Sequence, residues 1–281
     1  MKVLVTGANG QLGYDVVKCL SAEGIEYLAA DRNILDITNE EQVKKVIRNY
    51  KPDVVIHCAA YTAVDKAEDE KEMCYAVNVL GTKYVAEACK ETDAKMVYIS
   101  TDYVFDGEGE QPFDVTDKPN PINYYGQTKY EGELEVQKLV EKYFIVRISW
   151  VFGAHGNNFV KTMLRLGKEK NEISVVADQI GSPTYTYDLA KLLIEMIITD
   201  KYGIYHATNE GYCSWYEFAC EIFRQTGMDV KVNPIKSEEY PTRAKRPKNS
   251  RMSKESLDLI KLKPLVEWEK SIRSYLNEFN N

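Results

Sequence analysis

Apolar positions in the first half of the chain fall in short, near-continuous runs. KVLVT (2–6), EYLAA (26–30), DVVIHC (53–58), KMVYIS (95–100) and YFIVRI (143–148) are of this kind. Strands that are apolar on both sides of the pleat belong to parallel sheets covered on both faces. Between them the spacing becomes helical over 11–23, 39–49, 68–91 and 125–142. TNEEQVKKVIRNY carries a helix-start signal, Thr38 or Asn39 followed by Glu41 or Gln42, with Val43, Val46 and Ile47 on one face. Such alternation predicts an α/β fold, a Rossmann-like doubly wound parallel sheet with helices on both sides.

After residue 150 the pattern is less regular. Short strands at 173–177 and 203–208 mix with helices at 158–168, 185–200, 214–226 and 267–278. With 281 residues the chain can bury a large core. The expected division is a main domain over 1–150 and a smaller mixed α/β lobe over 151–281, some of whose elements return to the sheet.

A net charge of −7 disfavours nucleic acid as a general partner, because a phosphate backbone would be repelled on average. No stretch approaches the ~20 apolar residues that span a bilayer, so no membrane partner is expected. The opening KVLVTG is too short for a signal peptide and runs into glycines. The six cysteines form no CxxC pair and no zinc-like spacing with the three histidines. They are expected to be free thiols in a reducing cytoplasm, and no metal is expected.

VTGANGQLG (5–13) places Gly7, Gly10 and Gly13 between a predicted strand and a predicted helix. Glycines there permit a tight turn and close backbone approach to a pyrophosphate, whose charge sits at the helix N-terminus. Asp31, at the end of the second predicted strand, is placed to accept the ribose hydroxyls of a dinucleotide. Arg32 follows at once and suits a 2′-phosphate, so NADPH and NADH both remain open. Asp36 could contact the adenine or cap a helix.

Y-x-x-x-K occurs three times, at Tyr14/Lys18, Tyr125/Lys129 and Tyr187/Lys191. Only Tyr125 follows a strand that ends in Ser100-Thr101. Hydride reduction of a carbonyl leaves a developing alkoxide, which needs a proton donor. A tyrosine, with an ordinary pKa of about 10, donates poorly at neutral pH. An ammonium one helical turn away is expected to lower that value by favouring the phenolate. Thr101, at the C-terminal end of its strand, is placed to hydrogen-bond the substrate oxygen. The bland alternative for Tyr125 and Lys129 is an exposed pair contributing a few tenths of a kcal/mol.

With these residues assembled, the chain resembles the extended short-chain dehydrogenase/reductases that act on nucleotide sugars, and within them the branch that makes dTDP-L-rhamnose. The resemblance rests on GANGQLG (7–13), LDIT (35–38), HCAAYTAVDKAE (57–68), NVLGT (78–82), STDYVFDG (100–107) and YGQTKYEGE (125–133). It continues through ISWVFG (148–153), DQIGSPT (178–184) and RPKNSRM (246–252), and so covers about residues 1–275. It implies a dinucleotide-binding domain over 1–150 and a nucleotide-sugar lobe beyond it. Gly10, Gln11 and Leu12 are implied at the pyrophosphate, Asp31 and Arg32 at the adenosine ribose, and Asp36 and Ile37 at the adenine. Ala59, Ala60 and Tyr61 are implied on the nicotinamide side, with Lys129 and Tyr125 also holding that cofactor. Thr62, Val64 and Tyr103 would border the sugar, with Trp150 beside it, although core packing is the lesser alternative for Trp150. The reaction implied is reduction of the C4 ketone of dTDP-4-dehydro-L-rhamnose. Asp15 stands where some relatives carry glutamate, which weakens any divalent-ion role there.

TRAKRPKNSR (242–251) holds five basic residues in ten, within an acidic chain. It is either a solvated charged loop or, more economically, the seat of the substrate diphosphate, with Arg246 and Arg251 as bidentate donors. His57, in an apolar strand, is expected to be a satisfied buried imidazole, whereas His155 and His206 show no companions in sequence. Nucleotide-sugar epimerases or dehydratases share much of this pattern, as do regulatory subunits that keep the fold without turnover. A homodimer is possible.

Overall fold

The computed structural model of the chain describes residues 1–279; residues 280 and 281, the end of the expected second lobe, lie outside them. The five apolar runs form β1 (Lys2–Thr6), β2 (Glu26–Ala30), β3 (Val54–His57), β4 (Lys95–Thr101) and β5 (Tyr143–Ile148). The helices of this half are α1 (Gln11–Ala22), α2 (Glu40–Tyr50), α3 (Val64–Ala67), α4 (Lys71–Tyr75), α5 (Thr82–Thr92) and α6 (Tyr124–Leu139). The chain continues through β6 (Val151–Phe152), α7 (Phe159–Glu169), β7 (Glu172–Val176), β8 (Ile180–Gly181), β9 (Thr184–Tyr185) and α8 (Thr186–Ile197). It ends with β10 (Gly203–His206), β11 (Cys213–Ser214), α9 (Trp215–Thr226), β12 (Lys231–Ile235), β13 (Asn249–Ser250), α10 (Glu255–Leu259) and α11 (Trp268–Phe279).

The central sheet has the order β10-β5-β4-β3-β1-β2, and every pairing in it is parallel. Side chains alternate between its faces. Val3, Val5, Val54, Ile56, Val97, Phe144 and Val146 pack with α1 and α8. Leu4, Val55, Met96, Tyr98 and Ile145 pack with α2, α5 and α6. Both faces are covered, which is why the strands read as unbroken apolar runs. The chain runs outward from β1 to β2 and then crosses to β3 on the other side of β1. Open α/β sheets bind ligands at such a reversal, outside the carboxyl ends of the strands. After residue 150 the chain both returns to the sheet through α8 and β10 and builds a separate core around Phe152, Phe218, Ile222, Trp268 and Tyr275.

Most expected helices agree with the structure to within a few residues. The cap of α2 is Asn39, whose side chain accepts the Gln42 N–H. The continuous helix expected over 68–91 is instead broken. It holds α4, a π-helical segment at Ala76–Gly81 and then α5, with α3 just before it. The wider π turn presents Asn78 inward, a common device near functional sites. Its Oδ1 accepts the Tyr61 N–H (2.8 Å), and its Nδ2 donates to Tyr61 O and to the Thr128 hydroxyl (both 3.1 Å). Those tertiary bonds, not periodicity, decide the break.

One charged pair ties α6 to the sheet. Glu133 is fully buried and Arg147, on β5, is 2% exposed. Arg147 donates from Nε to Oε1 (2.9 Å) and from Nη2 to Oε2 (2.7 Å) of Glu133. The Ser100 hydroxyl on β4 donates to the same Oε1 (2.5 Å). His206 on β10 lies 3.5 Å from Arg147 Nη1, and Phe105 lies under the guanidinium at 5.1 Å. His206 therefore does have companions. Removing one member leaves the other charge buried and unpaired, which costs about 3–5 kcal/mol. Arg147→Met should lower unfolding free energy in urea by that amount, and Glu133→Leu/Arg147→Met by clearly less than the single change. A single variant within ~1 kcal/mol of the parent chain would contradict this account.

Candidate active site

The glycine turn leaves β1 with no room for side chains. Gly7 has φ +63°, and a Cβ on it would lie 2.7 Å from Ala59 N. One on Gly13 would lie 2.2 Å from Gly7 O. The turn thus sits directly against the end of β3 and against its own helix. Gly10 is the N-cap of α1, with no side-chain cap and no acid in the first turn. The free N–H groups and the positive end of the helix dipole form a site for an anion. Gln11 accepts from Asn158 Nδ2 (3.1 Å) and Leu12 is buried in the core, so Leu12 can meet a ligand at the turn through its backbone only. The cradle fits a dinucleotide pyrophosphate.

Asp31 lies at the end of β2 but is already engaged. Its Oδ1 accepts the N–H groups of Asn33 (2.9 Å) and Ile34 (3.1 Å), and its Oδ2 accepts from Asn9 Nδ2 (3.0 Å). Arg32 is largely exposed, with Nε 3.4 Å from Asp36. Asp36 does not cap α2; it accepts from the Thr38 N–H (3.0 Å) and hydroxyl (2.7 Å), and that hydroxyl chiefly holds its carboxyl below the usual range. Ile37 is buried against Gly81.

Beyond β3, the Ala59 N–H donates to the Thr6 hydroxyl (3.2 Å), and Asn78 fixes Tyr61. Ala60 is half-buried in the same stretch, and Thr62 is exposed at its end. Tyr61, Val64, Tyr103 and Tyr124 pack against Tyr125, Cys74 and Ala67. His57 is buried, its Nδ1 2.7 Å from the Thr6 hydroxyl and its Nε2 3.3 Å from that of Thr82. Burial pushes it down to about 3, so it is a neutral structural imidazole.

Thr101, Tyr125 and Lys129 converge at the C-terminal end of β4, all buried. The Thr101 hydroxyl donates to Asp102 Oδ1 (2.9 Å) and accepts the Tyr103 N–H (3.2 Å). The Tyr125 ring meets Tyr103 edge-on, centroids 5.6 Å apart. Lys129 Nζ lies over the Tyr98 ring at 4.0 Å. The pair is therefore no exposed surface contact. The expected lowering of the phenol pKa is not what the structure gives. Burial raises Tyr125 well above the usual value and the Asp102 charge adds to this, while the Thr101 hydroxyl pulls the other way. Burial also drives Lys129 down to about 7, opposed by Glu133 one turn further along. Desolvation dominates here because both groups are removed from water. Asp102, buried, is raised to about 6 by the same cause, with the Ser250 and Thr101 hydroxyls pulling the other way.

At the end of the first half, Trp150 follows β5 with φ +48° and stacks on Trp215 at 3.8 Å. Its indole lies so close to Gly181 that a Cβ there would approach to 3.0 Å. The basic segment does not float in solvent. Arg246 donates to Asp65 Oδ2 (2.6 Å) and to the Tyr103 hydroxyl (2.9 Å), and Arg251 donates to Asn249 Oδ1 (3.0 Å). Asn78, Asp65, Glu133 and Arg147 were not singled out by sequence; the NVLGT, AVDKAE and YGQTKYEGE stretches held three of them without marking which residue mattered.

The other Y-x-x-x-K pairs meet each other on the far face, where α1 packs on α8. Lys18 and Lys191 both lie over the Tyr187 ring, at 4.9 and 4.2 Å, and Tyr14 stacks on His155 at 4.7 Å. They are structural. Asp15, also on α1, is buried beneath Thr186, whose hydroxyl donates to it. Among the described residues no group of three or more His, Cys, Asp or Glu is disposed to hold a metal ion, and no helix is long and apolar enough to cross a membrane.

Comparison with known proteins identifies the family and the fold. The chain matches the family described as RmlD substrate binding domain over residues 1–281. It is 46% identical to a dTDP-4-dehydrorhamnose reductase of Aggregatibacter actinomycetemcomitans, across 98% of this chain and 99% of that protein. It is 40% identical to the spore coat polysaccharide biosynthesis protein SpsK of Bacillus subtilis, across 99% and 97%. A crystal structure of dTDP-4-dehydrorhamnose reductase from Bacillus anthracis in complex with NADP superposes with a TM-score of 0.97, at 48% identity and 99% coverage of both chains. With a full-length family match, relatives above 40% identity and a shared fold, the chain belongs to the RmlD substrate binding domain family.

Proposed function

We propose that this chain is an NADPH-dependent reductase that converts dTDP-4-dehydro-L-rhamnose to dTDP-L-rhamnose. The observation that carries the reading is the burial of Thr101, Tyr125 and Lys129 together at the end of β4, at the same carboxyl edge of the parallel sheet as the uncapped start of α1. The names of the relatives support the substrate, and the NADP bound to the Bacillus anthracis protein supports the cofactor. When bound, the dinucleotide supplies the hydride.

Gly7, Gly10 and Gly13 give the pyrophosphate its approach, and the N–H groups of Gln11 and Leu12 neutralise it. Asp31 accepts from the adenosine ribose, loosely held Arg32 takes a 2′-phosphate, and Asp36 with Ile37 borders the adenine. Ala59, Ala60 and Tyr61 flank the nicotinamide, whose ribose Lys129 holds. Thr62, Val64, Tyr103 and Trp150 border the hexulose, and Arg246 and Arg251, with the segment beyond residue 150, face its diphosphate. Thr101, by turning its hydroxyl proton from Asp102, hydrogen-bonds the C4 ketone, and Tyr125 gives its proton to that oxygen as it becomes the hydroxyl. A buried phenol holds its proton until charge develops on an adjacent oxygen, which suits a donor that must not ionise beforehand.

Supplying dTDP-glucose with an upstream dehydratase and epimerase, and following NADPH and NADH oxidation separately, should show NADPH consumed in preference. Oxidation of neither would overturn the assignment. Tyr125→Phe should cut kcat by about 10²–10⁴ while leaving NADPH affinity intact; full activity in that protein would remove Tyr125 as the donor.

Lys129 makes stability depend on pH. Its folded value is about 7 against 10.5 when free, so between these limits the unfolded chain binds more protons and stability rises with pH. The buried ammonium's penalty is full below pH 7 and gone above 10.5. Lys129→Met should therefore be the more stable protein at pH 6, by ~1 kcal/mol or more, since one pKa unit is about 1.4 kcal/mol. The gap should close as pH rises toward 10. Urea midpoints at pH 6, 8 and 9.5 test this; a gap that is constant or widens with pH contradicts it.

A further inference from the structure

The basic segment at 242–251 is fastened to the start of the helix that carries Tyr125. Asp65, the second residue of α3, accepts the Ala244 N–H at Oδ1 (3.0 Å) and Arg246 Nη2 at Oδ2 (2.6 Å). The other arm of Arg246 donates from Nη1 to the Tyr103 hydroxyl (2.9 Å). Asn123 caps α6 at the Gly126 N–H (2.8 Å) and turns its Nδ2 to Lys245 O (2.9 Å). Gly126 admits no side chain, because a Cβ there would lie 2.1 Å from Tyr103 O. A connected line of contacts thus runs from Asp65 through Arg246 to Tyr103 and on to the edge of Tyr125.

The polarity of this line has a chemical consequence. A guanidinium has donors only, so the Tyr103 oxygen must accept from it. The one proton of that hydroxyl is then left to be given elsewhere. Burial holds that proton firmly, with the phenol pushed up to about 12. Asp65 fixes the plane of the guanidinium by a charge-assisted bond, the stronger class of hydrogen bond. Without that carboxylate the long Arg246 side chain regains its rotamers, and the Tyr103 hydroxyl can turn either way.

Resting on the reductase reading above, we propose that Asp65 is a positioning residue of the reaction. By holding Arg246 against Tyr103 it commits the Tyr103 hydroxyl to donate, and so selects an acceptor oxygen on the hexulose beside the proton donor. The interaction is made with a part of the sugar that does not react, so it acts on binding in ground and transition states alike.

Steady-state kinetics on the full chain with dTDP-4-dehydro-L-rhamnose test this. Asp65→Asn should raise KM for the nucleotide sugar about 10-fold, the effect of a lost bond to a charged group, with kcat within about threefold. NADPH affinity and thermal midpoint should stay at the parent values, and Asp65→Glu should recover part of the loss. Tyr103→Phe should raise KM similarly, and adding Asp65→Asn to it should cost little more. A KM within twofold of the parent, or losses at Asp65 and Tyr103 that multiply independently, overturns the proposal. So does a fall in NADPH affinity and midpoint in step with KM, which would make Asp65 a structural staple only. If Asp65→Asn does not fold, the same cycle between Arg246→Gln and Tyr103→Phe decides the matter. A parent chain that oxidises no cofactor overturns the reductase reading itself, and is distinguished by failing before any variant is compared.

Discussion

The fully buried pair between Glu133 and Arg147 is the constraint on which the placement of the site depends. Helix α6 carries Tyr125 and Lys129, but its sequence has little apolar periodicity to dock it. Its docking is instead polar and specific. Glu133 meets Arg147 of β5 and Ser100 of β4, Tyr98 donates its hydroxyl to Lys129 O (3.2 Å), and Gly132 lies where a Cβ would be 2.3 Å from that hydroxyl. An apolar stripe tolerates sliding by a fraction of a turn, whereas a bidentate ion pair accepts one register. A buried charge pair adds little net stability compared with well-packed apolar residues. Its value here is geometric, because proton transfer requires heavy atoms within hydrogen-bond reach.

The same burial shapes the electrostatics. Removing Tyr125 and Lys129 from water strengthens every contact they make, yet penalises the ionised form of each. The phenol is pushed up and the ammonium down, so their values move toward and past one another. The site is thus a place where proton ownership is set first by burial and then adjusted by neighbours: Thr101 and Asp102 on one side, Glu133 on the other. Coordination between the two halves of the chain follows a similar logic. Asn123, Asp65 and Asn158 each spend a side chain on holding a segment of one half against the other.

The sheet was legible in the sequence because it is buried on both faces, leaving β1 to β5 as unbroken apolar runs. The glycine turn was legible for a steric reason, since the Gly13 position allows nothing larger. Two things were hidden. The π segment at Ala76–Gly81 exists because Asn78 has partners at Tyr61 and Thr128, far away in sequence, and helical periodicity carries no trace of that. The expected effect of Lys129 on Tyr125 considered charge at close spacing and left out desolvation, which depends on how deeply α6 is packed. Likewise the basic segment read either as a solvated charged loop or as the seat of a diphosphate, and the ties of Ala244 and Arg246 to Asp65 appear only once the chain is folded. Of the three tyrosine–lysine pairs, strand context set apart the one buried at the end of β4 from the two that pack α1 on α8.

All three tryptophans of the chain, Trp150, Trp215 and Trp268, lie beyond residue 149. Trp150 and Trp215 are stacked face to face, and Trp268 is buried edge-on to Phe218. Indole emission from this protein therefore reports on the separate core around Phe152 and Phe218, which all three indoles join, two of them as a stacked pair at the expected sugar side. The six-stranded sheet contributes only tyrosine light, so an optical titration with a hexulose and one with a dinucleotide would be watched through quite different windows.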